Sequence, residues 1–216
     1  MKKAIVLAGS RGIGKGIADS LHQIKNLEVL TTSTKTLDTS DITQVKKFVQ
    51  QHESVDVLVL NTGGRRSQKF KDITKEDCDR YHNQLFYSFF YILQNLKINK
   101  GGYIFLVSSF NVKEPNSKLL LSSAYRTAFI SVLKSLSKEF AQNNITTINI
   151  APGPIDTDRL RGLVDDMDEL SKKLPLGRVG NVEEIGIFTK SIIENNIKYL
   201  NGVTINFDGG HSNFIF

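Results

Sequence analysis

The fold is decided by the stretch Ala4-Ile5-Val6-Leu7-Ala8-Gly9-Ser10-Arg11-Gly12-Ile13-Gly14, near the start of a chain of 216 residues. Its first five residues form an apolar run of β type, and its glycines open a helical pattern over residues 12–24. Glycines between a strand and a helix let the backbone turn sharply and approach a pyrophosphate at the helix N-terminus. The stretch therefore predicts a phosphate-binding loop, and a tight turn without a ligand is the alternative. The candidate loop residues are Gly9, Ser10, Arg11, Gly12, Ile13 and Gly14.

Beyond this stretch, short apolar runs alternate with longer helical periodicities. The runs cover residues 4–8, 29–32, 55–60, 103–107, 146–150 and 203–207, and the helical patterns cover residues 12–24, 42–51, 75–96, 120–143, 158–172 and 182–195. Nearly continuous apolar runs are typical of strands covered on both faces, as in a parallel sheet flanked by helices. The sequence therefore predicts an α/β fold, a Rossmann-like doubly wound parallel sheet in a single domain over residues 1–216, with ligands beyond the carboxyl ends of the strands.

The composition is that of an ordinary globular protein, with 40% apolar and 23% charged residues. The single cysteine, Cys78, excludes an internal disulfide and a multi-cysteine metal site. The acidic run at residues 165–169 lacks the spacing of a metal loop, so we expect no metal. The apolar run after Met1-Lys2-Lys3 is too short for a signal peptide or a membrane span. We expect a soluble, cytoplasmic protein that does not bind a membrane.

The chain is basic, with a net charge of +6 and a pI near 9.3. Its lysines are spread along the chain without a nucleic-acid signature, so we expect a small-molecule substrate and no nucleic acid. The loop at residues 64–71 contains Arg65, Arg66, Lys69 and Lys71. It could steer an anionic substrate by its local field, or it could be a solvated surface loop.

The residues after the second apolar run bear on the choice of cofactor. NAD sites usually have an Asp or Glu there that binds the ribose hydroxyls. This chain reads Leu30-Thr31-Thr32-Ser33-Thr34-Lys35, without an acid. Arg11, Ser33 and Lys35 could instead face a 2′-phosphate, so the sequence favours NADP(H) over NAD(H).

With these residues in view, the chain resembles the short-chain dehydrogenase/reductase family nearly from end to end. Residues 9–14 resemble the glycine loop of the family, although its usual first glycine falls on Ala8. The other landmarks are Asn61-Thr62-Gly63-Gly64, Ser108-Ser109, Pro152-Gly153-Pro154-Ile155-Asp156-Thr157, Leu176-Gly177-Arg178-Val179-Gly180 and Asp208-Gly209-Gly210. The resemblance implies that Asp38 contacts adenine and that Thr157 reaches the nicotinamide side. It implies further cofactor contacts from Asn61, Thr62, Gly63, Pro152, Gly153 and Ile155.

The resemblance also implies a catalytic Tyr with a Lys four residues later, and here the chain departs from the family. Alignment through residues 134–139 puts Ser122 in the Tyr position and Arg126 in the Lys position. We prefer this register, and Ser109 then matches the catalytic serine of the family. Tyr125 is an alternative proton donor if the helix is rotated, and Leu85 takes the place of the helix Asn. In this the chain is similar to a divergent branch near the 3-oxoacyl-(acyl-carrier-protein) reductases, without their Tyr/Lys pair.

The altered pair leaves two functions open. The first is an NADP(H)-dependent oxidoreductase that transfers hydride between the nicotinamide and a carbonyl or hydroxyl of a small, anionic or neutral substrate. Its catalytic residues would be Ser109, Ser122, Arg126 and Tyr125, with Arg126 also holding the cofactor ribose. The second is an NADP(H)-binding pseudo-enzyme with a sensing or structural role and little turnover.

Two further features concern assembly and the cofactor site. The aromatic run at residues 86–91 and the C-terminal Phe214-Ile215-Phe216 predict apolar surfaces that a homodimer or homotetramer would cover. Only residues 33–36 separate the second strand from Leu37-Asp38, where relatives usually insert a helix and a longer connection to the third strand. We therefore expect a shortened, more open adenosine side.

Overall fold

A central sheet of six parallel strands organises the molecule, whose computed structural model describes residues 1–64 and 67–215. The strands are β1 (Lys2–Val6), β2 (Leu27–Thr31), β3 (Ser54–Leu60), β4 (Lys97–Val107), β5 (Thr146–Pro152) and β6 (Val203–Phe207). Their order is β2-β1-β3-β4-β5-β6, and each neighbouring pair is parallel. The predicted doubly wound α/β fold is confirmed.

Helices connect the strands. They are α1 (Gly12–Leu21), α2 (Ile42–Gln50), α3 (Lys75–His82), α4 (Ser88–Asn95), α5 (Leu120–Ala141), α6 (Asp158–Arg161), α7 (Met167–Lys173) and α8 (Val182–Glu194). A π-helical turn, Asn83–Tyr87, joins α3 to α4. In the described residues, no helix is long and apolar enough to cross a bilayer.

Two hydrophobic cores lie on opposite faces of the sheet. In β1, Ala4 and Val6 belong to the core formed with α1 and α8. Ile5 and Leu7 belong to the core formed with α2, α4 and α5. Side chains alternate between the faces of a strand, so a strand buried on both faces must be apolar at nearly every position. This is why the strands read as continuous apolar runs.

Two of the predicted helices differ from those observed. The pattern over residues 75–96 predicts one helix, but the π-helical turn divides it, with the amide of Ser88 donating to the carbonyl of Asn83. The pattern over residues 158–172 also predicts one helix, and this is wrong. Gly162 ends α6, and Asp166 begins α7 by accepting hydrogen bonds from the amides of Asp168 and Glu169.

The connection after β2 is short, as the sequence predicts. The chain passes from the end of β2 at Thr31 to the start of α2 at Ile42 without another strand, which leaves β2 at the edge of the sheet. Within this connection Leu37 is only 3% exposed and joins the core, and Asp41 caps α2. The connection is therefore a packed loop, and because it contains no further strand the sheet ends at β2.

Ala8 is a strained position at the end of the first strand. Its φ is +49°, in the left-handed region that disfavours a Cβ. We expect Ala8→Gly to raise the free energy of unfolding by about 1 kcal/mol, because glycine adopts this conformation without a steric penalty. Urea denaturation would measure the change. Ala18→Gly, in the buried middle of α1, is the matched control and should destabilise by about 1 kcal/mol. Destabilisation by Ala8→Gly would contradict the expectation.

The helix that follows the glycine loop is held against α8 through two glycines. A Cβ on Gly16 would lie 2.4 Å from the carbonyl oxygen of Val182, and one on Gly186 would lie 2.2 Å from the carbonyl oxygen of Gly16. The two backbones therefore touch, and α8 fixes the position of α1.

The N-terminus of α8 is stabilised by a capping box. The Glu184 carboxylate accepts hydrogen bonds from the Asn181 amide at 2.8 Å and from the Arg178 guanidinium at 2.7 and 2.9 Å. The guanidinium first, and then the amide, lower the pKa of Glu184 to about 2. Because the folded value lies below the ordinary value of 4.5, this stabilisation is complete above pH 4.5 and is lost as the pH falls towards 2.

We therefore expect Glu184→Gln to destabilise the protein at neutral pH by about 1 kcal/mol, a value typical of a lost cap. The pair is partly exposed, so solvent screens most of its Coulomb attraction. Urea denaturation at pH 7 and pH 3 should show the difference from the unmodified protein shrinking at the lower pH. Glu183→Gln, in the same helical turn, is the control and should have a smaller effect at both. A difference that does not depend on pH would contradict the assignment.

Candidate active site

The loops that follow β1 to β5 meet at the carboxyl edge of the sheet. The order of strand addition reverses between the neighbours β1 and β3, because the chain adds β2 on one side of β1 and then crosses to add β3 on the other side. Ligands of doubly wound sheets bind in the crevice at such a point. The sequence-predicted site residues lie on these loops, at the last residue of β5, in the first turn of α1 or in the first two turns of α5.

The glycine loop lies so close to its surroundings that side chains are excluded at two positions. A Cβ on Gly14 would be 2.3 Å from the carbonyl oxygen of Ala8 and 2.6 Å from Asn61 Nδ2. A Cβ on Gly9 would be 2.9 Å from the Cβ of Thr31. Asn61 Nδ2 also donates to the carbonyl oxygens of Leu7 and Ala8, at 3.2 and 3.4 Å. The amide of Asn61 therefore fixes the loop from the end of β3.

The N-terminus of α1 is suited to an anion. Its N-cap residue is Arg11, whose side chain has no acceptor for the first helical N–H groups, and its first turn contains no acidic residue. Ser10 and Arg11 are exposed and Ile13 is half-buried. Gly12 has a φ of +55° and lies beside the Thr157 methyl, 3.5 Å from the position of an added Cβ. These residues fit the pyrophosphate of a dinucleotide.

The residues after β2 lie next to the glycine loop, where the amide of Ala8 donates to Thr32 Oγ1 at 3.0 Å. Lys35 is exposed, and its backbone amide donates to Ser33 Oγ at 3.3 Å. The Asp38 carboxylate accepts from both the amide and the hydroxyl of Ser40, at 2.8 and 2.7 Å. This loop therefore holds hydroxyl and amino groups without an acid before Asp38, which fits a 2′-phosphate.

A polar cluster behind the loop after β3 includes a residue that the sequence did not single out. Thr62 Oγ1 lies 3.0 Å from Thr39 Oγ1 and accepts from Gln84 Nε2 at 3.1 Å. Gln84 Nε2 also donates to the carbonyl oxygen of the exposed Gly63, at 2.8 Å. Gln84 lies in the π-helical turn beside the buried Leu85. The signal in the sequence that could have identified Gln84 is an amide side chain at the start of an aromatic helical run.

The loop after β5 is held by the C-terminal part of the chain. Gly153 packs against Asp208, since its Cβ would lie 2.7 Å from that of Asp208. Following Pro152, the last residue of β5, Ile155 is buried and pairs with Gly180. Thr157 caps α6 by accepting from the amide of Leu160. The predicted landmarks around residues 153–157, 180 and 208 thus pack against one another, and Thr157 of this group lies beside Gly12 of the glycine loop.

Arg126 lies at the centre of the carboxyl edge. It is only 8% exposed, and its Nη1 donates to the carbonyl oxygen of Val107 at 2.7 Å. Its Nη2 donates to the carbonyl oxygen of Thr62 at 3.4 Å. Burial, and then the nearby Arg159, lower the pKa of Arg126 to about 10. The guanidinium is therefore charged at neutral pH and ties α5 to the ends of β3 and β4.

Two serine hydroxyls at this edge accept hydrogen bonds, one of them from this guanidinium. Ser122 Oγ accepts from Arg126 Nε at 3.3 Å. Ser109 Oγ accepts from the amide and the Nδ2 of the buried Asn111, both at 3.2 Å. Each hydroxyl can then use its own hydrogen to donate to another oxygen. No pattern in the sequence singled out Asn111.

Tyr125 points to a different part of the protein. Its ring contacts His82 of α3 edge to face, with 5.8 Å between the ring centroids. Burial, and then Cys78 and Asp79, raise the pKa of Tyr125. The structure therefore brings Ser122 and Arg126 together at the carboxyl edge and places Tyr125 against α3.

A second arginine reaches the same edge from α6. The Arg159 guanidinium lies against Gly64, where an added Cβ would be 2.2 Å from Arg159 Cζ. Burial lowers the pKa of Arg159. The buried Tyr81 acts in the opposite direction on both arginines, since it raises the pKa of Arg126 and of Arg159. Nothing in the sequence pattern pointed to Tyr81.

The basic loop is described only in part. Arg65 and Arg66 lie outside the described residues, and so does Phe216 of the C-terminal apolar triplet. Lys69 and Lys71 are exposed at a short 3-10 turn, Phe70–Asp72.

A glycine loop at the reversal point of a parallel sheet defines the class of the protein as a Rossmann-type α/β protein. The family described as enoyl-(acyl carrier protein) reductase matches residues 28–212. The chain belongs to the short-chain dehydrogenase/reductase family, and it is an oxidoreductase of that type.

Curated relatives agree over the whole chain. The 3-oxoacyl-(acyl-carrier-protein) reductase of Chlamydia muridarum is 30% identical over 239 residues, covering 97% of this chain and 96% of that protein. The enzyme of the same name from Buchnera aphidicola is 29% identical over 238 residues, with the same coverage. The resemblance to such reductases is confirmed.

Solved structures share the fold. A blue fluorescent protein from a metagenomic library, in complex with NADPH, superposes with a TM-score of 0.88 at 24% identity and 98% coverage of both chains. A short-chain dehydrogenase from Burkholderia cenocepacia, in complex with NADP, has a TM-score of 0.87 at 23% identity and 97% coverage of both.

Proposed function

We propose that the protein uses NADP(H) to transfer hydride between the nicotinamide and the carbonyl or hydroxyl group of a small substrate. The observation that carries this is the Arg126 guanidinium, fixed at the ends of β3 and β4 beside the hydroxyl of Ser122. It occupies the place that the resemblance gives to the catalytic lysine, next to a glycine loop that fits a pyrophosphate. The two neighbours solved with NADPH and NADP support the choice of cofactor.

In this proposal bound NADPH supplies the hydride, which adds to the substrate carbonyl carbon. Ser109 and Ser122 donate hydrogen bonds to the carbonyl oxygen, since Ser109 Oγ accepts from Asn111 and Ser122 Oγ accepts from Arg126, which leaves the hydrogen of each hydroxyl to donate. Arg126 supplies positive charge where negative charge develops on that oxygen. A serine hydroxyl is no stronger an acid than water and a guanidinium stays charged, so neither side chain is a net source of protons. The oxygen therefore takes a proton from a serine hydroxyl that regains one from water, and the hydroxide left behind is neutralised by the solvent.

The cofactor contacts follow the loops of the site. Residues 9–14 hold the pyrophosphate, and Arg11, Ser33 and Lys35 surround the 2′-phosphate. Asp38 lies on the adenine side, and Asn61, Thr62 and Gly63 lie along the middle of the cofactor. The nicotinamide half faces Pro152, Gly153, Ile155, Thr157 and Arg126.

NADPH should then bind more tightly than NADH, and Lys35→Glu should reverse or remove this preference.

We also propose that the active form is a homodimer or homotetramer in the cytoplasm. The exposed Ile187 of α8 and Ile215 near the C-terminus support an interface. Light scattering on the purified protein would give the mass of the assembly, and a monomer would contradict this part.

The test of the function is binding and oxidation of NADPH. We expect tight NADPH binding by fluorescence and NADPH oxidation with at least one carbonyl compound of a broad panel. Ser122→Ala should lower turnover strongly, whereas Tyr125→Phe should leave it nearly unchanged if water supplies the proton. Loss of turnover in Tyr125→Phe alone would instead assign the proton to Tyr125.

The second candidate is an NADP(H)-binding protein with little turnover and a sensing or structural role. It is favoured by Ser122 and Arg126 themselves, since neither group readily transfers a proton at neutral pH. Tight NADPH binding without oxidation across the panel would support this candidate. Absence of nucleotide binding would contradict both.

A further inference from the structure

The residues that follow Ser109 fold back onto its side chain. They form a short 3-10 turn, Phe110–Val112, for which Ser109 is the N-cap residue. The backbone amide and the side-chain Nδ2 of Asn111 both donate to Ser109 Oγ, each at 3.2 Å. A hydroxyl oxygen has two lone pairs and one hydrogen, so these two hydrogen bonds fill both of its acceptor positions. The Ser109 hydroxyl is left with its hydrogen to offer to a ligand.

The second of these hydrogen bonds goes beyond an ordinary cap. A serine N-cap accepts from a backbone amide two or three residues later, and that bond alone leaves one lone pair open. The Nδ2 of Asn111 takes this remaining lone pair. Asn111 is only 7% exposed, and a polar side chain is kept in such a place when its hydrogen bonds are made inside the protein. The buried amide is therefore used to orient a hydroxyl of the candidate active site.

The turn that contains Asn111 is held by the C-terminal segment of the chain. The ring of Phe110 meets the ring of His211 edge to face, with 5.1 Å between the ring centroids. Glu114 Oε1 accepts from the backbone amide of Asn213 at 2.5 Å. These contacts lie on either side of Asn111 along the chain, so they fix the turn between the end of β4 and the C-terminal segment.

We propose that Asn111 is a positioning residue, which fills the acceptor positions of Ser109 and so commits the Ser109 hydroxyl to donate to the oxygen of the substrate. The proposal deepens the proposed function and rests on it, since it needs Ser109 at the reacting oxygen. A donor that is oriented before the reaction stabilises the developing charge without reorganisation. Asn111 acts through Ser109 and does not itself bind the substrate.

Asn111→Asp tests this assignment, because it keeps the shape of the side chain and reverses its hydrogen bond. An ionised carboxylate only accepts, so the Ser109 hydroxyl would donate to it instead of to the substrate. With the carbonyl compound of the panel that the unmodified protein reduces fastest, kcat at about pH 8 should fall by about a hundredfold, as for the loss of one preorganised donor. The Kd of NADPH should be unchanged.

The loss in Asn111→Asp should also depend on pH. Burial raises the pKa of a carboxyl group, and the protonated group has an O–H that can donate to Ser109 again. The ratio of kcat in Asn111→Asp to kcat in the unmodified protein should therefore rise as the pH is lowered from about 8 to about 5. A side chain that only stabilised the turn would give no such recovery.

Asn116→Asp is the matched control from the following turn. Asn116 is the exposed N-cap residue of the 3-10 turn Ser117–Leu119, and its Oδ1 accepts from the amide of Lys118 at 2.9 Å. An Asp at this position keeps that hydrogen bond, so Asn116→Asp should match the unmodified protein at each pH. The ionisable side chains of the Asn111 turn and of the segments next to it are Lys113, Glu114, Arg126 and His211. They are present in the control as well, so the ratio of activities removes their contribution.

A double-mutant cycle tests the proposal even where Asn111→Asp does not fold. Asn111→Ala removes one donor to Ser109 and should lower kcat by about two- to tenfold, the effect of one hydrogen bond. In a Ser109→Ala background the same change should have no further effect on kcat, because there is no hydroxyl left to orient. Thermal unfolding of each variant would give its folded fraction, so that kcat is compared per folded molecule.

The proposal is overturned if folded Asn111→Asp is as active at about pH 8 as the unmodified protein, or if its loss of activity does not depend on pH. It is also overturned if Asn111→Ala lowers kcat equally with and without the Ser109 hydroxyl. Failure of the proposed function has a different signature. In that case the unmodified protein itself would not oxidise NADPH with any compound of the panel, and both proposals would be wrong together.

Discussion

Replacing Arg126 with methionine should lower kcat/KM for NADPH-dependent carbonyl reduction by at least about a hundredfold. The side chain supplies the positive charge next to the substrate oxygen in the proposed reaction, and loss of one such preorganised donor typically costs that much. Arg126→Met also leaves the carbonyl oxygens of Val107 and Thr62 without their donor. Each unpaired buried group costs about 1–3 kcal/mol, so we expect a lower melting temperature as well.

A second substitution separates the catalytic loss from the structural one. Arg126→Lys keeps the positive charge but cannot donate to both carbonyl oxygens with a planar fork. It should retain more activity than Arg126→Met while losing a similar amount of stability. Initial rates over a range of substrate concentrations, together with thermal unfolding, would measure the two effects. If Arg126→Met were destabilised but fully active per folded molecule, Arg126 would have only a structural role.

Gly14→Ala should nearly abolish NADPH binding, raising Kd by at least about a hundredfold. The added methyl group would lie 2.3 Å from the carbonyl oxygen of Ala8 and 2.6 Å from Asn61 Nδ2. The first of these is a backbone atom of the glycine loop, so the loop itself must move. The N–H groups at the start of α1 would then no longer converge on the pyrophosphate, and binding at a helix N-terminus depends on that convergence. Fluorescence titration with NADPH would measure the loss.

The matched control for Gly14→Ala is another glycine-to-alanine change in a region with room for a methyl group. An added Cβ on Gly162, at the end of α6, would lie 3.4 Å from its nearest neighbour, in ordinary contact. Gly162→Ala should leave both NADPH binding and stability nearly unchanged. Wild-type affinity in a folded Gly14→Ala variant would mean that the glycine loop does not bind the cofactor.

Local patterns were sufficient to predict the sheet but not all of the helices. The apolar runs lie within or next to the six observed strands, because strands buried on both faces must be apolar at nearly every position. The helix predicted over residues 158–172 is interrupted because the turn at Gly162 and the cap at Asp166 outweigh a weak helical periodicity. The π-helical turn at residues 83–87 likewise has no marker in the sequence, although Gln84 in that turn binds Thr62 across the fold.

The sequence by itself determined the class of fold, the glycines between the first strand and the first helix, and the absence of an acid directly after β2. These are local properties, set by residue types and short spacings. Only the tertiary structure decided what Arg126 touches, since Thr62 is 64 residues away from it along the chain. It also decided that Arg159 lies against Gly64, that Asn111 donates to the Ser109 hydroxyl and that Tyr125 faces α3. Such contacts depend on the order of strands in the sheet, because that order selects which strand ends, distant in sequence, meet at one edge.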